Sequence, residues 1–195
     1  MHIGLYFGSF NPIHVGHLII ASYARHTTTL HQVWLVVSPQ NPHKPAGSLL
    51  NEYDRLHLAK LATENDPNLR VVDIEFNLPK PSYTSATLAH LHDKYPQHTF
   101  SIIMGSDSYS NLPRWKNYQH LTNEYDIYVF LRPNHPIVHH SGKSPIVIDA
   151  PLLDISSTAI RQFIQQNIPI RYLVPNNVAE YIADNNYYKH GPAKL

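Results

Sequence analysis

The sequence of 195 residues contains no cysteine and few charged side chains. Without cysteine the chain cannot form disulfides, use a thiolate nucleophile or hold zinc through sulfur. Asp, Glu, Lys and Arg together make up 15% of the residues, and the formal net charge is +1. This balance gives no electrostatic basis for extended binding of nucleic acid or of an anionic membrane, so we expect neither as a partner. A small polyanion, in contrast, requires only local positive charge.

The sequence also lacks a long hydrophobic segment. No apolar stretch approaches the length of about 18 residues that a membrane-spanning helix needs. Residues 1–5 show neither the basic region nor the long apolar region of a signal peptide. We therefore expect a cytoplasmic protein. The length favours one domain over residues 1–195 with its own core, and a loosely held tail from about Tyr187.

Histidine is as abundant as lysine and arginine together, with 15 residues in each group. This abundance raises metal binding as an alternative. His139 and His140 are adjacent, but the other histidines show no repeated spacing of the kind found in zinc sites. We interpret most of them as exposed residues whose protonation raises the net charge below about pH 6.5.

Apolar runs of strand length alternate with helical patterns along the chain. The runs lie at 3–7, 33–37, 69–73, 99–103, 126–131 and 145–148, and the helical patterns at 14–27, 51–65, 84–95, 118–122, 157–166 and 175–185. This alternation predicts an α/β fold, a Rossmann-like open parallel sheet with helices on both faces. Ligand-binding loops are then expected where the strands end.

Residues 8–17, with the sequence Gly-Ser-Phe-Asn-Pro-Ile-His-Val-Gly-His, join the first predicted strand to the first predicted helix. With 15 histidines a chance pair is expected, but this pair follows a strand directly. In a helix that has begun by residue 13, His14 and His17 lie on one face and can reach one anion. Small residues let backbone approach that anion, and the helix start adds free N–H groups and a favourable dipole. The segment predicts a phosphate site, although neither a G-x-G-x-x-G nor a P-loop sequence is present.

A second segment, residues 154–161, reads Asp-Ile-Ser-Ser-Thr-Ala-Ile-Arg and precedes another helical pattern. Ser156 or Ser157 is a natural N-cap, and Arg161 then falls about one turn inside the helix. Helix capping alone explains the hydroxyl residues but not the arginine. Hydroxyls, backbone amides and a guanidinium at one helix start suit the outer phosphates of a triphosphate.

Together these two segments resemble those of the adenylyl-transferring, His-x-Gly-His group of nucleotidyltransferases, which also contains pantetheine-phosphate adenylyltransferase. Within the group the chain is similar to the bacterial nicotinate-nucleotide adenylyltransferases over residues 3–181. That family often reads Gly-Gly-Ser-Phe-Asp-Pro, whereas this chain has Phe7 before the glycine and Asn11 in place of the aspartate. Four further segments point to the nicotinate enzymes: 39–44, 81–88, 105–108 and 113–116.

The resemblance implies transfer of the adenylyl group of ATP to nicotinate mononucleotide. It assigns His17 to the charge that develops at the α-phosphate, His14 to the phosphates beside it and Arg161 to the outer phosphates. Because the attacking phosphate oxygen is ionised near neutral pH, no general base is required. We expect Mg²⁺ to bind through the ATP phosphates, without protein side-chain ligands. The implied ATP-binding residues are Gly8, Ser9, Phe10, His14, His17, Lys44, Ile103, Gly105, Asp107, Arg132, Ser156, Ser157, Thr158 and Arg161.

The resemblance also implies a site for nicotinate mononucleotide. The Trp115 indole offers a stacking plane to a pyridinium ring, and the hydroxyl of Thr84 or Thr87 donates to the ring carboxylate. Two alternatives stay open, namely the same transfer to phosphopantetheine and a nucleotide-binding regulatory module without turnover. The presence of both phosphate segments disfavours the regulatory module, and the oligomeric state is not indicated. The implied mononucleotide-binding residues are Lys44, Tyr83, Thr84, Thr87, Trp115 and Lys116.

Overall fold

The computed structural model describes residues 1–40 and 49–189. Its core is a six-stranded sheet in the order β3-β2-β1-β4-β5-β6, in which every neighbouring pair is parallel. The predicted open parallel sheet is confirmed, and each predicted strand bound lies within two residues of the observed one. The strands are β1 His2–Gly8, β2 Gln32–Val37, β3 Leu69–Val72, β4 Thr99–Gly105, β5 Ile127–Phe130 and β6 Ile146–Ile148.

Strand β2 shows why the strand sequences are nearly continuous apolar runs. Val33, Leu35 and Val37 contribute to one hydrophobic cluster, whereas Trp34 and Val36 contribute to a second cluster on the opposite face. Side chains alternate between the faces of a strand, so a strand that is covered on both sides needs apolar residues at every position. The sheet is therefore the middle of three layers.

Seven helices cover the two faces of the sheet in the described part of the chain. The first cluster packs α1, α2, α6 and α7, and the second packs α3, α4 and α5. The predicted helices are confirmed to within two residues, but α4 and the short 3₁₀ helices Ile74–Asn77 and Leu112–Arg114 were not predicted. The helices are α1 Val15–Thr27, α2 Glu52–Thr63, α3 Thr84–Lys94, α4 Ser106–Ser110, α5 Tyr118–Glu124, α6 Ser157–Gln165 and α7 Asn176–Asp184.

The chain after α7 differs from the predicted loose tail. Tyr187 and Tyr188 both pack against the first hydrophobic cluster, and the hydroxyl of Tyr188 is buried. Aromatic side chains remove a large apolar area from water when they pack in this way. The prediction is corrected for these two residues, and the chain beyond residue 189 lies outside the described part. Within the described residues, no helix has the length and apolar character that crossing a membrane demands.

Candidate active site

The carboxyl ends of β1 and β4 open onto a cavity of about 450 Å³. The chain continues from β1 to β2 and β3 on one side and resumes with β4 on the other side of β1. This reversal of strand order is where open α/β sheets form their ligand crevice. The cavity wall includes Gly8, Ser9, Phe10, His14, His17, Tyr83, Thr84, Ile103, Gly105, Asp107, Trp115, Lys116, Arg132, Ser156, Ser157, Thr158 and Arg161.

Phe10 shapes the turn that follows β1. Its backbone adopts the left-handed conformation, with φ of 44°, and its buried ring lies edge-on to Tyr6 and His17 at centroid distances of 5.9 and 5.0 Å. A Cβ atom at position 8 would lie 2.8 Å from the Phe10 ring. Gly8 is therefore needed to accommodate this ring, in addition to any close approach of backbone to a ligand.

His14 and His17 come together, although not in the predicted manner. Helix α1 begins at Val15, and His14 is its N-cap in an extended conformation, so the two residues are not on one face of a helix. Their rings nevertheless stack at 3.6 Å, and the His14 backbone N–H donates to His17 Nδ1 at 3.2 Å. Because Nδ1 accepts this bond, the neutral His17 ring carries its proton on Nε2.

Burial sets the protonation of His14. Its side chain is only 3% exposed. Loss of hydration and, to a smaller extent, the positive charge of Arg132 lower the pKa of His14 to about 4. His14 is therefore a neutral imidazole at physiological pH.

We predict that acid destabilises the protein through His14. The unfolded chain binds this proton with the ordinary pKa of 6.5 and the folded protein only at about 4, so stability falls as the pH drops through this interval. Between pH 7.5 and pH 5.0 the expected contribution is about 2 kcal/mol. Urea denaturation of the wild type and of His14→Gln at both pH values measures it. Equal losses of stability in the two proteins would contradict the prediction.

The start of α6 is attached to the turn after β1. Ser156 is the N-cap, and its Oγ accepts from the backbone N–H of Ala159 at 3.2 Å. Ser157 Oγ donates to the carbonyl of Pro12 at 2.9 Å. The two segments that the sequence analysis treated as separate phosphate motifs therefore form one continuous wall.

Arg161 joins the same two segments. Its Nη1 donates to the carbonyl of Asn11 at 2.7 Å, and its Nη2 donates to Thr158 Oγ1 at 3.3 Å. A guanidinium has five N–H donors, so these two bonds leave others for a ligand. Arg161 brings positive charge to the cavity wall, as predicted, and also fixes the β1 turn, which was not predicted.

The end of β4 and the chain after β5 form the next part of the wall. Asp107 Oδ1 lies 3.9 Å from Arg132 Nε, and the Arg132 backbone N–H donates to Ser106 Oγ at 2.9 Å. A Cβ atom at position 105 would overlap Asp107 Oδ1 and lie 3.2 Å from the Arg132 side chain and from the Phe130 ring, so a side chain there would displace its neighbours. Ile103 adds an apolar surface. Apolar and polar groups that meet in this way suit a nucleoside.

Another part of the cavity wall is formed by Tyr83, Thr84, Trp115 and Lys116. Trp115 follows the 3₁₀ helix Leu112–Arg114, and Thr84 begins α3. The Lys116 Nζ lies 4.8 Å from the centroid of the Tyr83 ring, a cation–π distance. Two segments separated by about thirty positions in the sequence thus form one aromatic and hydroxyl-bearing wall.

Thr87 is not part of this wall, and its predicted contact with the ring carboxylate is corrected. Thr87, Leu88 and Leu91 form the buried face of α3. The Thr87 side chain is 0% exposed, and its hydroxyl donates to Glu75 Oε1 at 2.8 Å. Thr87 has no exposed surface, and Glu75 accepts its hydroxyl, so Thr87 supports the site from behind.

The sequence matches the model of the cytidylyltransferase-like family over residues 5–163. It is 48% identical over 192 residues to a probable nicotinate-nucleotide adenylyltransferase of Flavobacterium psychrophilum, with 97% of this chain and 100% of the relative covered. A relative of the same description from Cytophaga hutchinsonii is 49% identical over 193 residues, with the same coverage. The chain belongs to the nicotinate-nucleotide adenylyltransferase family.

Solved structures agree with this family at the level of the fold. The nicotinic acid mononucleotide adenylyltransferase of Plasmodium falciparum complexed with NaAD superposes with a TM-score of 0.80 and 22% identity, covering 96% of this chain and 97% of that chain. The same enzyme complexed with APC gives a TM-score of 0.78 and 21% identity, covering 96% of each chain. At identities of 22% and 21%, these superpositions show a shared fold and do not show that individual side chains have the same roles.

Two buried residues of this nicotinate-nucleotide adenylyltransferase chain escaped the sequence analysis. Arg55 of α2 is 0% exposed and donates to four carbonyls: Leu50 at 2.8 Å, Ser9 at 2.6 Å, Ser38 at 2.8 Å and Pro39 at 3.0 Å. Glu75 is the other residue, and its side chain reaches the cavity wall. The sequence did carry a signal for Arg55. It is a charged residue on the apolar face of a predicted helix, since Arg55, Leu58 and Ala59 share helical spacing.

Lys44 lies in residues 41–48, outside the described part of the chain, so its predicted contacts with both substrates are not tested. Of the segment 39–44, Pro39 and Gln40 are described, and Gln40 lines the cavity. On the other side of the gap, Leu49 also lines it, and the Leu50 backbone N–H donates to Asn11 Oδ1 at 3.1 Å. The chain therefore reaches the cavity on both sides of residues 41–48.

Proposed function

We propose that this chain transfers the adenylyl group of ATP to nicotinate mononucleotide, forming deamido-NAD and pyrophosphate. One observation carries the proposal: a single cavity at the switch point of the sheet is lined both by the histidines, hydroxyls and arginine of the β1 turn and α6 and by Tyr83 and Trp115. The first group suits a triphosphate and the second a pyridine nucleotide. The curated relatives named above carry this activity in their description.

The chemistry requires positioning more than acid–base catalysis. A phosphate oxygen of the mononucleotide attacks the α-phosphorus of ATP, and the bond from that phosphorus to the oxygen bridging it to the β-phosphorus breaks, with the electron pair leaving on pyrophosphate. Negative charge builds on the α-phosphate oxygens in the transition state. We assign stabilisation of this charge to the Nε2–H of His17, with His14 as a neutral neighbour. Arg161, the Thr158 hydroxyl and the backbone N–H groups at the start of α6 hold the outer phosphates, whereas the Ser157 hydroxyl is used for the bond to the Pro12 carbonyl.

The adenosine belongs, in this proposal, at the end of β4. Gly8, Ser9 and Phe10 present backbone beside the triphosphate, whereas Ile103 and Gly105 provide a surface for the base. Apolar surface with a few polar groups at its edge is typical of nucleoside pockets. Asp107 and Arg132, which face each other at 3.9 Å, supply those polar groups.

Mg²⁺ fits the site as an ion held by the ATP phosphates. Among the described residues, no group of three or more His, Asp or Glu side chains is arranged to hold a metal ion. The two carboxylates on the cavity wall are engaged, since Asp107 faces Arg132 and Glu75 accepts two hydroxyls. When bound through the phosphates, Mg²⁺ neutralises part of their charge. The protein side chains would position the phosphates around it.

The nicotinate ring belongs between Trp115 and the start of α3. An indole stacks favourably on a pyridinium ring because the ring is cationic. The backbone N–H groups of Thr84 and Ser85 stand at the amino end of α3, whose N-cap, Tyr83, makes no side-chain capping bond. Free N–H groups and the helix dipole favour a carboxylate there. The hydroxyl of Thr84 lies on the same wall.

We predict that the enzyme uses nicotinate mononucleotide at least about tenfold better than nicotinamide mononucleotide, as judged by kcat/KM. A pocket of N–H and O–H donors pairs with a carboxylate but meets the amide NH₂ with another donor, and an unpaired buried polar group costs about 1–3 kcal/mol. Pyrophosphate release from ATP with each mononucleotide measures the ratio. Trp115→Ala should weaken both substrates, whereas Thr84→Val should impair the nicotinate form more.

The same assay separates the alternatives. Release of pyrophosphate with phosphopantetheine, and not with a pyridine mononucleotide, would favour the pantetheine-phosphate reaction. No release with any acceptor, in a protein that binds ATP, would favour a regulatory module. Equal use of the two mononucleotides by the wild type would remove the assignment to nicotinate.

A further inference from the structure

Glu75 holds the two hydroxyl groups on either side of Tyr83 and Thr84. Its Oε2 accepts from Ser82 Oγ at 2.7 Å, and its Oε1 accepts from Thr87 Oγ1 at 2.8 Å. Glu75 belongs to the 3₁₀ helix that follows β3 and is 2% exposed. A single side chain therefore connects the end of β3 to the loop before α3 and to the first turn of α3.

No ion pair in the described part of the chain explains the burial of Glu75. Within residues 1–40 and 49–189, no salt bridge joins Glu75 to a basic side chain. A carboxylate that is removed from water needs hydrogen-bond donors on its oxygens, and here both oxygens receive one from a hydroxyl. These two hydrogen bonds fix the distance between Ser82 and Thr87.

Tyr83 and Thr84 depend on that geometry because they have few anchors of their own. Tyr83 is 37% exposed, and its ring contacts the exposed Lys116 rather than the core. The Tyr83 carbonyl accepts from the backbone N–H groups of Ala86 and Thr87, at 2.9 and 3.1 Å. These bonds tie Tyr83 to α3, and Leu88 and Leu91 pack the following turns of α3 on the sheet. The hydroxyl pair on Glu75 adds a polar link between the start of α3 and the chain after β3.

We propose that Glu75 is a positioning residue that sets the mononucleotide end of the cavity. By holding Ser82 and Thr87, it places Tyr83 and the start of α3 opposite Trp115. Its action is confined to that end, because the ATP end is built from the β1 turn, the end of β4 and α6. The inference rests on the proposed function.

The test measures KM for each substrate in variants that remove one bond at a time, Thr87→Val and Ser82→Ala, together with Glu75→Gln. We expect KM for nicotinate mononucleotide to rise about tenfold in each, since hydrogen bonds to a carboxylate are stronger than neutral ones. KM for ATP and kcat should stay within about twofold. A change confined to one KM indicates loss of ground-state binding of that substrate.

Thr63→Val is the matched control. Thr63 of α2 is also buried, its hydroxyl donates to the Ala59 carbonyl at 3.1 Å, and it does not line the cavity. Its removal should lower the thermal midpoint without changing either KM. Unchanged KM values in Thr87→Val and Ser82→Ala, or equal increases for both substrates, would overturn the proposal and leave Glu75 as a general structural residue.

A binding measurement removes the dependence on turnover. The chain has two tryptophans, of which Trp34 is buried in the core and Trp115 lines the cavity. Quenching of Trp115 fluorescence by nicotinate mononucleotide, with a non-hydrolysable ATP analogue present, should show the same weakening of about tenfold in Thr87→Val. Unaltered affinity in this variant would contradict the positioning role. If the wild type neither binds the mononucleotide nor releases pyrophosphate with it, the proposed function fails, and the positioning role that rests on it fails with it.

Discussion

Replacement of His17 with alanine is expected to lower kcat by about 10²–10³, the usual result of removing one preorganised donor to a developing negative charge. KM for ATP should change much less, because the proposed binding mode gives the outer phosphates separate contacts with Arg161 and the start of α6. Steady-state kinetics with saturating nicotinate mononucleotide measures both quantities.

The expectation for His17 follows from its tautomer and its surroundings. The Nδ1 atom accepts the backbone N–H of His14, which assigns the proton to Nε2. Stacking on His14 at 3.6 Å and edge-on contact with Phe10 at 5.0 Å restrict the ring. A donor that is already oriented needs no reorganisation when charge develops, and this is the condition under which such a group has a large effect on rate.

His26→Ala serves as the control for this experiment. His26 lies in the last turn of the same helix and is exposed, so its removal changes the histidine content of α1 without touching the cavity. Its kcat should stay within about twofold of the wild type, as expected for a surface substitution. If His17→Ala also retains nearly full kcat, His17 has no part in the chemical step.

The sheet and its helices could be predicted from the sequence because their signals are local. The apolar run of β2 has the length of a strand and no polar position, which is typical of a strand covered on both faces. The placement of the two predicted phosphate segments at the sheet edge also followed from the sequence, because one segment follows directly on a strand and the other precedes a helix. Such signals need no knowledge of distant residues.

The features that escaped prediction depend on contacts between distant parts of the chain. The partners of Arg55 include Ser9, 46 positions away, and nothing in the residues around position 9 indicates this bond. The family resemblance assigned Thr87 to the ligand, but α3 turns the Thr87 hydroxyl toward Glu75. His14 was placed inside a helix that begins one residue later. Tertiary packing decided each case.

The second large effect is expected at Arg55. Arg55→Met retains an apolar chain of similar length but removes every hydrogen bond to the carbonyls of Leu50, Ser9, Ser38 and Pro39. A buried acceptor without a partner costs about 1–3 kcal/mol, and some of these carbonyls lie near the cavity, where water can replace the guanidinium. We therefore expect the free energy of unfolding to fall by about 2–4 kcal/mol, measured by urea denaturation.

Arg70→Met provides the comparison, because Arg70 is exposed and its guanidinium lies 4.6 Å from the centroid of the Trp34 ring. Loss of this cation–π contact should cost only about 0.5–1 kcal/mol. In Arg55→Met, the β1 turn and the end of β2 also lose their common anchor, so KM for ATP should rise in the fraction that stays folded, whereas Arg70→Met should leave it unchanged. A loss of stability no greater than that of Arg70→Met would show that the four carbonyls do not need the guanidinium. In that case, Ser157 and Arg161 of α6 would hold the β1 turn without help from Arg55, through the carbonyls of Pro12 and Asn11.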